Sequence, residues 1–353
     1  MTEDEGDIEE RGDATDQVEE DNVGLLAGDT VRTGFVLLTT GETKALQYSA
    51  VDGRAVFEGD IILGTVEEME KDAALLSRSA SGGDVVTHGV GITGQQFRWP
   101  NALMPYEIDG GVTNGESRVA AAIAEWETKT NMRFVRRTAS NASQYPNYVR
   151  VIRGDGCWSH VGMRGGIQDL SLADGCGFGA AVHEFGHAWG LWHEQSREDR
   201  DAFITVHWEN IEAGMEHNFN QHIADGDDIG AYEYGSLMHY GSFAFSKNNQ
   251  RTITPKQAGA TIGQRNGLSA GDIAAVHHMY LTWHSGKTIV QVYASHHDRN
   301  AWANLAGLGW GRIHPDAKDG VTNVFAQLVW ARATGRTVTV LADGTSIYQS
   351  YQH

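Results

Sequence analysis

Residues able to do metal chemistry are concentrated in one short segment, AAVHEFGHAWGLWHEQSRED, which spans residues 180–199. It contains the pattern HExxHxxGxxH as His183, Glu184, His187, Gly190 and His193. Residues four apart on an α-helix share a face, so His183 and His187 can present their imidazoles to one ion. His193, six residues beyond His187, would point away if the helix continued. We therefore predict that the helix ends at Gly190, where a left-handed turn returns His193 to the metal.

This set of side chains predicts a catalytic zinc site. Three neutral imidazoles at about 2.0–2.1 Å with one open position are typical of catalytic zinc, whereas structural zinc usually has four protein ligands rich in cysteine. The only two cysteines, Cys157 and Cys176, are not spaced for a structural site, and fit either free buried thiols or one disulfide. Glu184 is the expected general base, taking a proton from the zinc-bound water and passing it to the leaving amine. The predicted reaction is amide hydrolysis, and the alternative is three histidines with ordinary partners and no metal.

Composition and charge argue against several other classes of protein. The chain has 353 residues, of which 41% are hydrophobic and 21% charged, enough for one or two packed domains. The formal charge is −19, of which the first 30 residues, with twelve acids and one base, carry −11. We expect no nucleic-acid partner without clustered Lys and Arg, and no membrane span without an apolar run of about 18 residues. No secretory signal is legible at the amino terminus.

The chain upstream of the metal-binding pattern begins with a predicted tail and continues into a predicted folded part. Residues 1–24 have almost nothing to bury and predict a disordered acidic tail. Two β-prone runs flank Asp52 and Gly53, which indicates a hairpin. Thr65 followed by Glu68 has the spacing of a capping box, so a helix is expected from there to about residue 79.

The domain that contains the metal pattern is predicted to span residues 95–285, a usual size for one domain. It follows a Gly- and Ser-rich stretch at residues 79–94, whose composition is that of a linker open to proteases. Val119, Ile123 and Trp126, at positions i, i+4 and i+7, mark the apolar face of a helix. Strands are predicted within residues 134–137, 148–154 and 204–211.

Residues 286–353 predict a small α/β module at the carboxyl end. Its three tryptophans are Trp302, Trp310 and Trp330. Buried packing is the commoner role for such residues, and a docking surface for carbohydrate or protein is the alternative. We assign none of them to the active site.

A second motif lies downstream of the histidines, in YEYGSLMHYGSFAFS. HExxHxxGxxHEQ followed by SLMHY resembles the astacin family of zinc endopeptidases, within the metzincins, as a bacterial-type proenzyme. The resemblance covers about residues 98–283 and includes RWPNALMPYEID, GCWSHVG and TITPKQAGATIGQRNGLSAGDIAAVHHMYL. It implies an α+β fold, with a two-lobed metzincin catalytic domain, an active-site cleft, an N-terminal propeptide and the C-terminal module. The upper lobe would carry a twisted sheet and helices near residues 115–130 and 179–190, above an irregular lower lobe.

The resemblance also implies roles for individual residues. One catalytic zinc ion would be bound by His183, His187 and His193, with Glu184 as general base. Met238 would form the turn beneath the metal, and Tyr240 would be a switchable ligand that moves away to stabilise the oxyanion, as a phenol donor can. Glu194 would meet the new N-terminal ammonium after maturation, the alternative being a solvated carboxylate. Cys157 and Cys176 would form an internal disulfide.

The upstream sequence FEGDII, with Phe57, Gly59 and Asp60, resembles the FxGD element by which astacin zymogens place an aspartate on the zinc. A carboxylate in the position of the water removes the nucleophile, so we expect the chain to be a latent proenzyme. Activation would cut within residues 79–94 and free an N-terminus able to reach Glu194. The implied partners are protein or peptide substrates and an activating protease, and the family and the cysteine pair favour an extracellular location.

Two other functions are considered beside the peptidase. One is a catalytically inactive peptide-binding module that keeps the fold, against which the presence of Glu184 argues, because a binder needs no general base. The other is a structural metal in a stable scaffold, for which metal removal would unfold the protein.

Overall fold

The computed structural model describes residues 21, 22, 24–37, 43–71, 95–222, 228–295, 300–313, 321–342 and 346–352. The chain divides into two compact units, residues 1–276 and 277–353. The predicted acidic tail up to position 20 and the predicted linker at residues 79–94 lie outside the described residues. None of the helices described is both long and apolar enough to cross a membrane.

A nine-stranded sheet runs through the first unit. Its strands are β1 Thr30–Leu37, β2 Thr43–Val51, β3 Arg54–Phe57, β4 Ile61–Thr65, β5 Leu103–Ile108, β6 Arg133–Arg136, β7 Tyr148–Ile152, β8 Cys157–Ser159 and β9 Ile167–Leu172. Their order is β1-β2-β3-β4-β8-β9-β7-β5-β6. The strands β6, β5, β7 and β9 are parallel neighbours, and β8 is antiparallel to β9. The upstream strand β4 joins β8 through one parallel pair, Ile61 with Ser159, and so extends the sheet past the edge strand of the catalytic part.

Local sequence accounts for the upstream elements. Asp52 and Gly53 have φ values of 47° and 78°, the left-handed conformation of a tight hairpin turn, and they join β2 to β3 as predicted. The Thr65 amide donates to Oε2 of Glu68 at 2.8 Å, and the Glu68 amide donates to Oγ1 of Thr65 at 3.1 Å. This reciprocal pair is the predicted capping box, and a helix follows over residues 66–71. The remainder of the predicted helix lies outside the described residues.

Two helices pack together behind the sheet and hold the metal pattern in place. They are Gly115–Lys129 and Phe178–Trp189. Val119 and Trp126 are buried and Ile123 is partly buried, which confirms the predicted apolar face. The indole of Trp126 donates to the carbonyl of Val182 at 3.1 Å. The face read from the sequence therefore fixes the helix that carries the first two histidines.

The chain after the third histidine is irregular, as expected of the lower lobe. Its regular elements are β10 Ile204–Val206, β11 Ile253–Pro255 and the helix Ala270–Met279, with short 3₁₀ turns between them. The strand expected within 204–211 is present as β10, which ends at Val206. The partner strand β11 offers only three residues, and Trp208–Asn210 form a 3₁₀ turn instead.

The second unit is a six-stranded sheet with one helix, Val321–Thr334. Its strands are β12 Thr282–Lys287, β13 Ile289–Ala294, β14 Ala301–Leu305, β15 Gly309–Ile313, β16 Val338–Ala342 and β17 Ser346–Gln352. Their order is β12-β16-β17-β15-β14-β13. Val324, Leu328 and Ala331 of the helix are part of the buried core of this unit. Trp310 and Trp330 are 46% and 43% exposed, so the expectation of buried packing is wrong for these two.

Candidate active site

The helix that carries the metal pattern ends where the sequence predicts. Gly190 caps it with φ 111°, and its amide donates to the carbonyls of Gly186 at 3.1 Å and His187 at 2.7 Å. A residue with a Cβ would be strained at this φ. Because the chain turns at Gly190, His193 returns to the side of the helix occupied by His183 and His187.

Three histidines and one upstream carboxylate meet at a single point. Asp60, His183, His187 and His193 are all buried, and one ligand atom from each lies within 4.8 Å of the others. Oδ2 of Asp60 lies 3.2 Å from Nε2 of His183 and 3.2 Å from Nε2 of His193, and Oδ1 lies 3.6 Å from Nε2 of His187. The structure thus brings together the residues for which a zinc-ligand role was predicted.

The hydrogen bonds of the Nδ1 atoms, which lie on the outside of the cluster, show which ring nitrogen of each histidine faces its centre. Nδ1 of His183 lies 2.9 Å from the carbonyl of Leu237, and Nδ1 of His187 lies 2.8 Å from the carbonyl of Leu191. A carbonyl only accepts, so each Nδ1 carries the proton and each Nε2 presents a lone pair. Nδ1 of His193 likewise faces a carboxylate oxygen at 2.8 Å.

This arrangement fits a metal ion. Lone pairs on neutral imidazoles and on a carboxylate repel when they converge, unless a cation lies between them. Nε2 of His187 and Oδ1 of Asp60 are buried and have no hydrogen-bond partner among the described residues. Three imidazoles and one carboxylate are a donor set that suits zinc. The four side chains therefore meet the chemical requirements of a zinc site.

The electrostatics of the cluster point the same way. Burial lowers the pKa of His183 to about 3 and also lowers the pKa of His187. Burial would lower the pKa of His193 as well, but the carboxylates of Asp60 and Glu58 outweigh it and raise that pKa to about 9. The two carboxylates thus favour positive charge at the centre, which a bound metal ion would supply in place of a proton on His193. His183 and His187 stay neutral, which is the state that binds metal.

Glu184 lies beside the cluster without a strong partner. Its side chain is buried, and Oε2 has no hydrogen-bond partner among the described residues. Burial, and then the nearby charge of Asp60, raise its pKa. It lines a cavity of about 520 Å³ together with Asp60, His183 and Tyr240. A carboxyl group in a cavity beside the metal ligands is placed to exchange protons with a bound reactant.

Met238 packs against the helix that carries the first two histidines, and Tyr240 lies beside His193. Met238 is buried, and its Sδ would lie 2.8 Å from a Cβ at Gly186, so the glycine permits the close approach of this turn to the helix. The Tyr240 ring lies against His193, with 4.8 Å between centroids. Its hydroxyl donates to the backbone carbonyl of Glu58 at 2.6 Å. The predicted role of Tyr240 as a metal ligand stays a prediction.

Glu194 faces away from the metal into a small cavity. Its Oε1 accepts the amide of Glu233 at 2.7 Å and lies 3.8 Å from Nε of Arg197. Burial raises its pKa to about 7. The adjoining cavity has a volume of about 40 Å³ and is also lined by Asp272. Glu194 is thus mostly buried, with 17% of its side chain exposed, and its predicted role stays a prediction.

The segment Phe57–Ile61 crosses the cleft and fills the position beside the histidines. The backbone carbonyl of Asp60 accepts the amide of Ser159 at 2.9 Å, next to the parallel pair of β4 and β8. Gly59 has φ 75°, and a Cβ there would lie 2.6 Å from the ring of Phe245. The glycine of the FxGD element is thus required both by conformation and by space.

A second upstream segment, which includes Asp21, Asn22 and Gly24, also contacts both sides of the cleft, and the sequence did not predict these contacts. Oδ2 of Asp21 accepts the amide of Phe243 at 2.7 Å. The amide side chain of Asn22 donates to the carbonyl of Phe243 at 3.0 Å and accepts the amide of Phe245 at 2.7 Å. The Gly24 carbonyl accepts the amide of Cys157 at 3.1 Å, on β8. We call residues 21–24 the strap, since its described members join the irregular lobe to the edge strand.

The strap and Glu58 are the site contacts that sequence reasoning missed. Asp21 and Asn22 stand at the end of an acidic run, in the segment predicted as a disordered tail through residue 24, and nothing local distinguishes them from its other polar residues. The described chain begins at Asp21, before the predicted end of that tail. Glu58 lies inside the FEGD sequence, and this position between Phe57 and Asp60 was the only local indication that it belongs to the site.

Cys157 and Cys176 form a disulfide, as the resemblance implied. The bond ties the start of β8 to the chain just before the metal-bearing helix. Gly24 packs directly on it, since a Cβ there would lie 2.3 Å from Sγ of Cys157. The disulfide therefore stabilises one wall of the cleft and also contacts the strap.

Comparison with known proteins identifies one family. A family model described as Astacin, a peptidase family, matches residues 91–281. Protein SpAN of Strongylocentrotus purpuratus is 41% identical over 191 residues, covering 52% of this chain and 31% of that protein. Zinc metalloproteinase nas-15 of Caenorhabditis elegans is 44% identical over 187 residues, covering 52% and 32%. Astacin-like metalloprotease toxin 1 of Loxosceles intermedia is 36% identical over 239 residues, covering 65% and 82%.

The first two relatives are much longer than the matched region, so the chain spans about a third of their length. Among solved structures, the hatching enzyme zinc-protease HCE-1 of Oryzias latipes matches with a TM-score of 0.46 and 37% identity. That match covers 51% of this chain and 90% of the other.

Proposed function

The chain belongs to the astacin family of peptidases, and on that premise we propose that it is a zinc-dependent endopeptidase made as a latent zymogen. The observation that carries the proposal is the convergence of three imidazole Nε2 atoms on one point, with the buried Glu184 beside them. Proteins or peptides are the proposed substrates.

The side chains around the centre have distinct proposed roles. His183, His187 and His193 would hold the zinc ion, which when bound polarises the scissile carbonyl and lowers the pKa of water. Glu184 would take the proton of the attacking water and deliver it to the leaving amide nitrogen. Tyr240, once its hydroxyl is free of Glu58, would donate a hydrogen bond to the oxyanion. Met238 would support the histidines from below.

Latency follows from the two crossings of the cleft. Asp60 would be the fourth ligand, in the position that the attacking water needs. Its carboxylate faces all three Nε2 atoms, and burial, which would raise its pKa, is outweighed by His193 and His187, so its pKa is lowered. The prosegment also holds the Tyr240 hydroxyl on the Glu58 carbonyl. A substrate could reach the centre only after this segment leaves.

Activation would cut the linker at residues 79–94, and the new N-terminal ammonium would then meet Glu194. The enclosed carboxyl group and its cavity support this role, since a buried acid is stabilised by an opposite charge. For the expected prosegment over 25–94, we accordingly propose a start that includes the strap. For the expected module over 286–353, we propose a start no later than β12 Thr282–Lys287, a strand of the second unit, with the catalytic domain between the two. The activating protease would be a separate partner.

The disulfide and the family support an extracellular location. The bacterial type of the proenzyme stays a prediction. The burial of Glu184, whose Oε2 has no hydrogen-bond partner among the described residues, supports a proton carrier rather than the inactive peptide-binding module.

The proposal is tested by following casein hydrolysis before and after limited elastase treatment of the full chain, with the cut located by N-terminal sequencing. Elastase cleaves after small residues, and residues 79–94 contain one Ala and three Val but no Lys or Arg. We expect one zinc per chain, negligible turnover before the cut and rapid turnover after it. Glu184→Ala should lower turnover of the cut form by about 10²- to 10⁴-fold with zinc retained. Glu209→Ala, an exposed acid, is the matched control. Equal turnover of Glu184→Ala and wild type would eliminate the mechanism, and equal turnover of cut and uncut chain would eliminate latency.

A further inference from the structure

The three histidines differ in what holds their outer nitrogens. Those of His183 and His187 contact the backbone carbonyls of Leu237 and Leu191, which belong to the catalytic part of the chain. That of His193 instead lies 2.8 Å from Oε2 of Glu58, a prosegment residue 135 positions upstream. Cleavage of the linker and release of the prosegment would therefore remove the outer partner of one ligand and leave the other two unchanged.

Glu58 is held in a site built for a carboxylate. Its side chain is fully buried, and Oε1 accepts the hydroxyl of Ser196 at 2.5 Å and lies 2.8 Å from Nε2 of His222. The His222 ring stacks on Trp192, with 4.2 Å between centroids. Both carboxylate oxygens of Glu58 are therefore in use. Oε1 contacts Ser196 and His222, and Oε2 contacts His193.

The backbone at Glu58 is also unusual. Its φ is 47°, in the left-handed region that a residue with a Cβ avoids, and the next residue, Gly59, has φ 75°. Such strain persists where the surrounding contacts over-determine it, and it clusters at functional sites. At this position, the left-handed turn lets Glu58 and Asp60, two residues apart, both face His193.

We propose that Glu58 is a positioning residue of the zymogen, which orients His193 through its Nδ1 proton and so strengthens the hold of the proenzyme on its metal. A carboxylate that accepts the outer N–H of a ligating imidazole fixes the ring and raises its basicity. The prosegment thus acts on the centre twice, directly through Asp60 and through His193 by way of Glu58. The matured enzyme, which lacks both, binds zinc less tightly than its precursor.

This inference rests on the proposed zinc centre, and the experiment separates the two. Equilibrium zinc affinity of the full-length chain is measured by competition with a chelator of known affinity, for wild type, Glu58→Gln and the exposed control Glu67→Gln. We expect one tightly bound zinc in wild type and in the control, and about 10- to 100-fold weaker binding in Glu58→Gln. The visible spectrum of the cobalt-substituted protein should change in Glu58→Gln alone.

Ser196→Ala distinguishes orientation of His193 from general loosening of the prosegment. It removes a contact of Oε1 and leaves the contact of Oε2 with His193, so its zinc affinity should stay within about threefold of wild type. That limit is at the low end of what a single hydrogen bond contributes and is smaller than the loss expected of Glu58→Gln. A loss as large as that of Glu58→Gln would overturn the proposal, since it would mean that docking alone governs the metal.

A second comparison does not depend on the folding of the Glu58 variant. The wild-type precursor carries both Asp60 and Glu58, whereas the matured enzyme lacks both, so the precursor should bind zinc at least about tenfold more tightly than the matured form. Equal affinities would overturn the role of Glu58 while leaving the peptidase proposal intact. Absence of stoichiometric zinc from the wild type would instead refute the proposed function itself.

Discussion

Nε2 of His183 lies 3.2 Å from Oδ2 of Asp60, although 123 residues separate the two in the chain. This contact joins the segment upstream of the linker to the helix that carries the metal pattern. In the proposed mechanism, the Asp60 carboxylate and the attacking water would therefore compete for one position.

The first prediction concerns the Asp60 carboxylate. Breaking one side of a buried charged cluster costs about 3 kcal/mol, roughly a hundredfold in the hold of the prosegment on the cleft. Full-length Asp60→Ala should therefore hydrolyse casein without a linker cut, whereas the exposed control Asp29→Ala should stay latent. A variant as inactive as wild type before the cut, yet active after it, would show that Asp60 does not cause latency.

The second prediction concerns the Tyr240 hydroxyl. If it donates to the oxyanion in the matured enzyme, Tyr240→Phe should lower kcat by about 10²- to 10³-fold with little change in KM. Tyr234→Phe is the matched control, because its hydroxyl donates to the carbonyl of Phe203 instead. Steady-state kinetics on a peptide substrate provides the measurement, and an unchanged kcat in Tyr240→Phe would exclude the role.

The third prediction concerns the strap. The amides of Phe243 and Phe245 donate to the side chains of Asp21 and Asn22, so in the proenzyme both should exchange slowly with deuterium. Asp21→Ala should speed exchange at Phe243, and Asn22→Ala should speed it at Phe245. Each lost hydrogen bond accounts for about 0.5–1.5 kcal/mol, or roughly a threefold to tenfold faster rate. Thr30→Ala is the control, and unchanged rates in both strap variants would mean that the strap does not hold the lobe.

The fourth prediction is a pH dependence of stability from His160, outside the metal cluster. Burial and then the neighbouring guanidinium of Arg164 lower its pKa to about 4 from an ordinary value of 6.5. The folded state keeps this ring neutral while the unfolded chain takes up a proton below 6.5. Stability is therefore lost as pH falls from 6.5 towards 4, by about 1 kcal/mol per pH unit.

Thermal unfolding of the proenzyme between pH 7 and pH 4 measures this effect. His160→Gln does not titrate, so its Tm should fall less steeply with acid than that of wild type, whereas the exposed control His278→Gln should follow wild type. Parallel curves for wild type and His160→Gln would contradict the prediction. The comparison between variants cancels the acid sensitivity of the metal ligands, which is common to all three.

Several features of the fold could be predicted because they depend on neighbours in sequence. Helical periodicity places His183 and His187 on one face, and only a residue such as Gly190 can end that helix with a positive φ. The capping box at Thr65 and the hairpin at Asp52 are equally local. The strand within 204–211 was also expected, but its end at Val206 was not, since strand length depends on a partner far away in the chain.

The sequence by itself thus determined the metal-binding pattern, the end of its helix and the residue types of the FxGD element, for which we propose an inhibitory role. Only the tertiary structure decided that Glu58 contacts His193, that Asp21 and Asn22 hold the irregular lobe, and that Glu194 is enclosed. The physical reason is range. Backbone conformation and helical spacing are set within a few residues, whereas contacts across more than a hundred residues depend on how the sheet and the two lobes pack together.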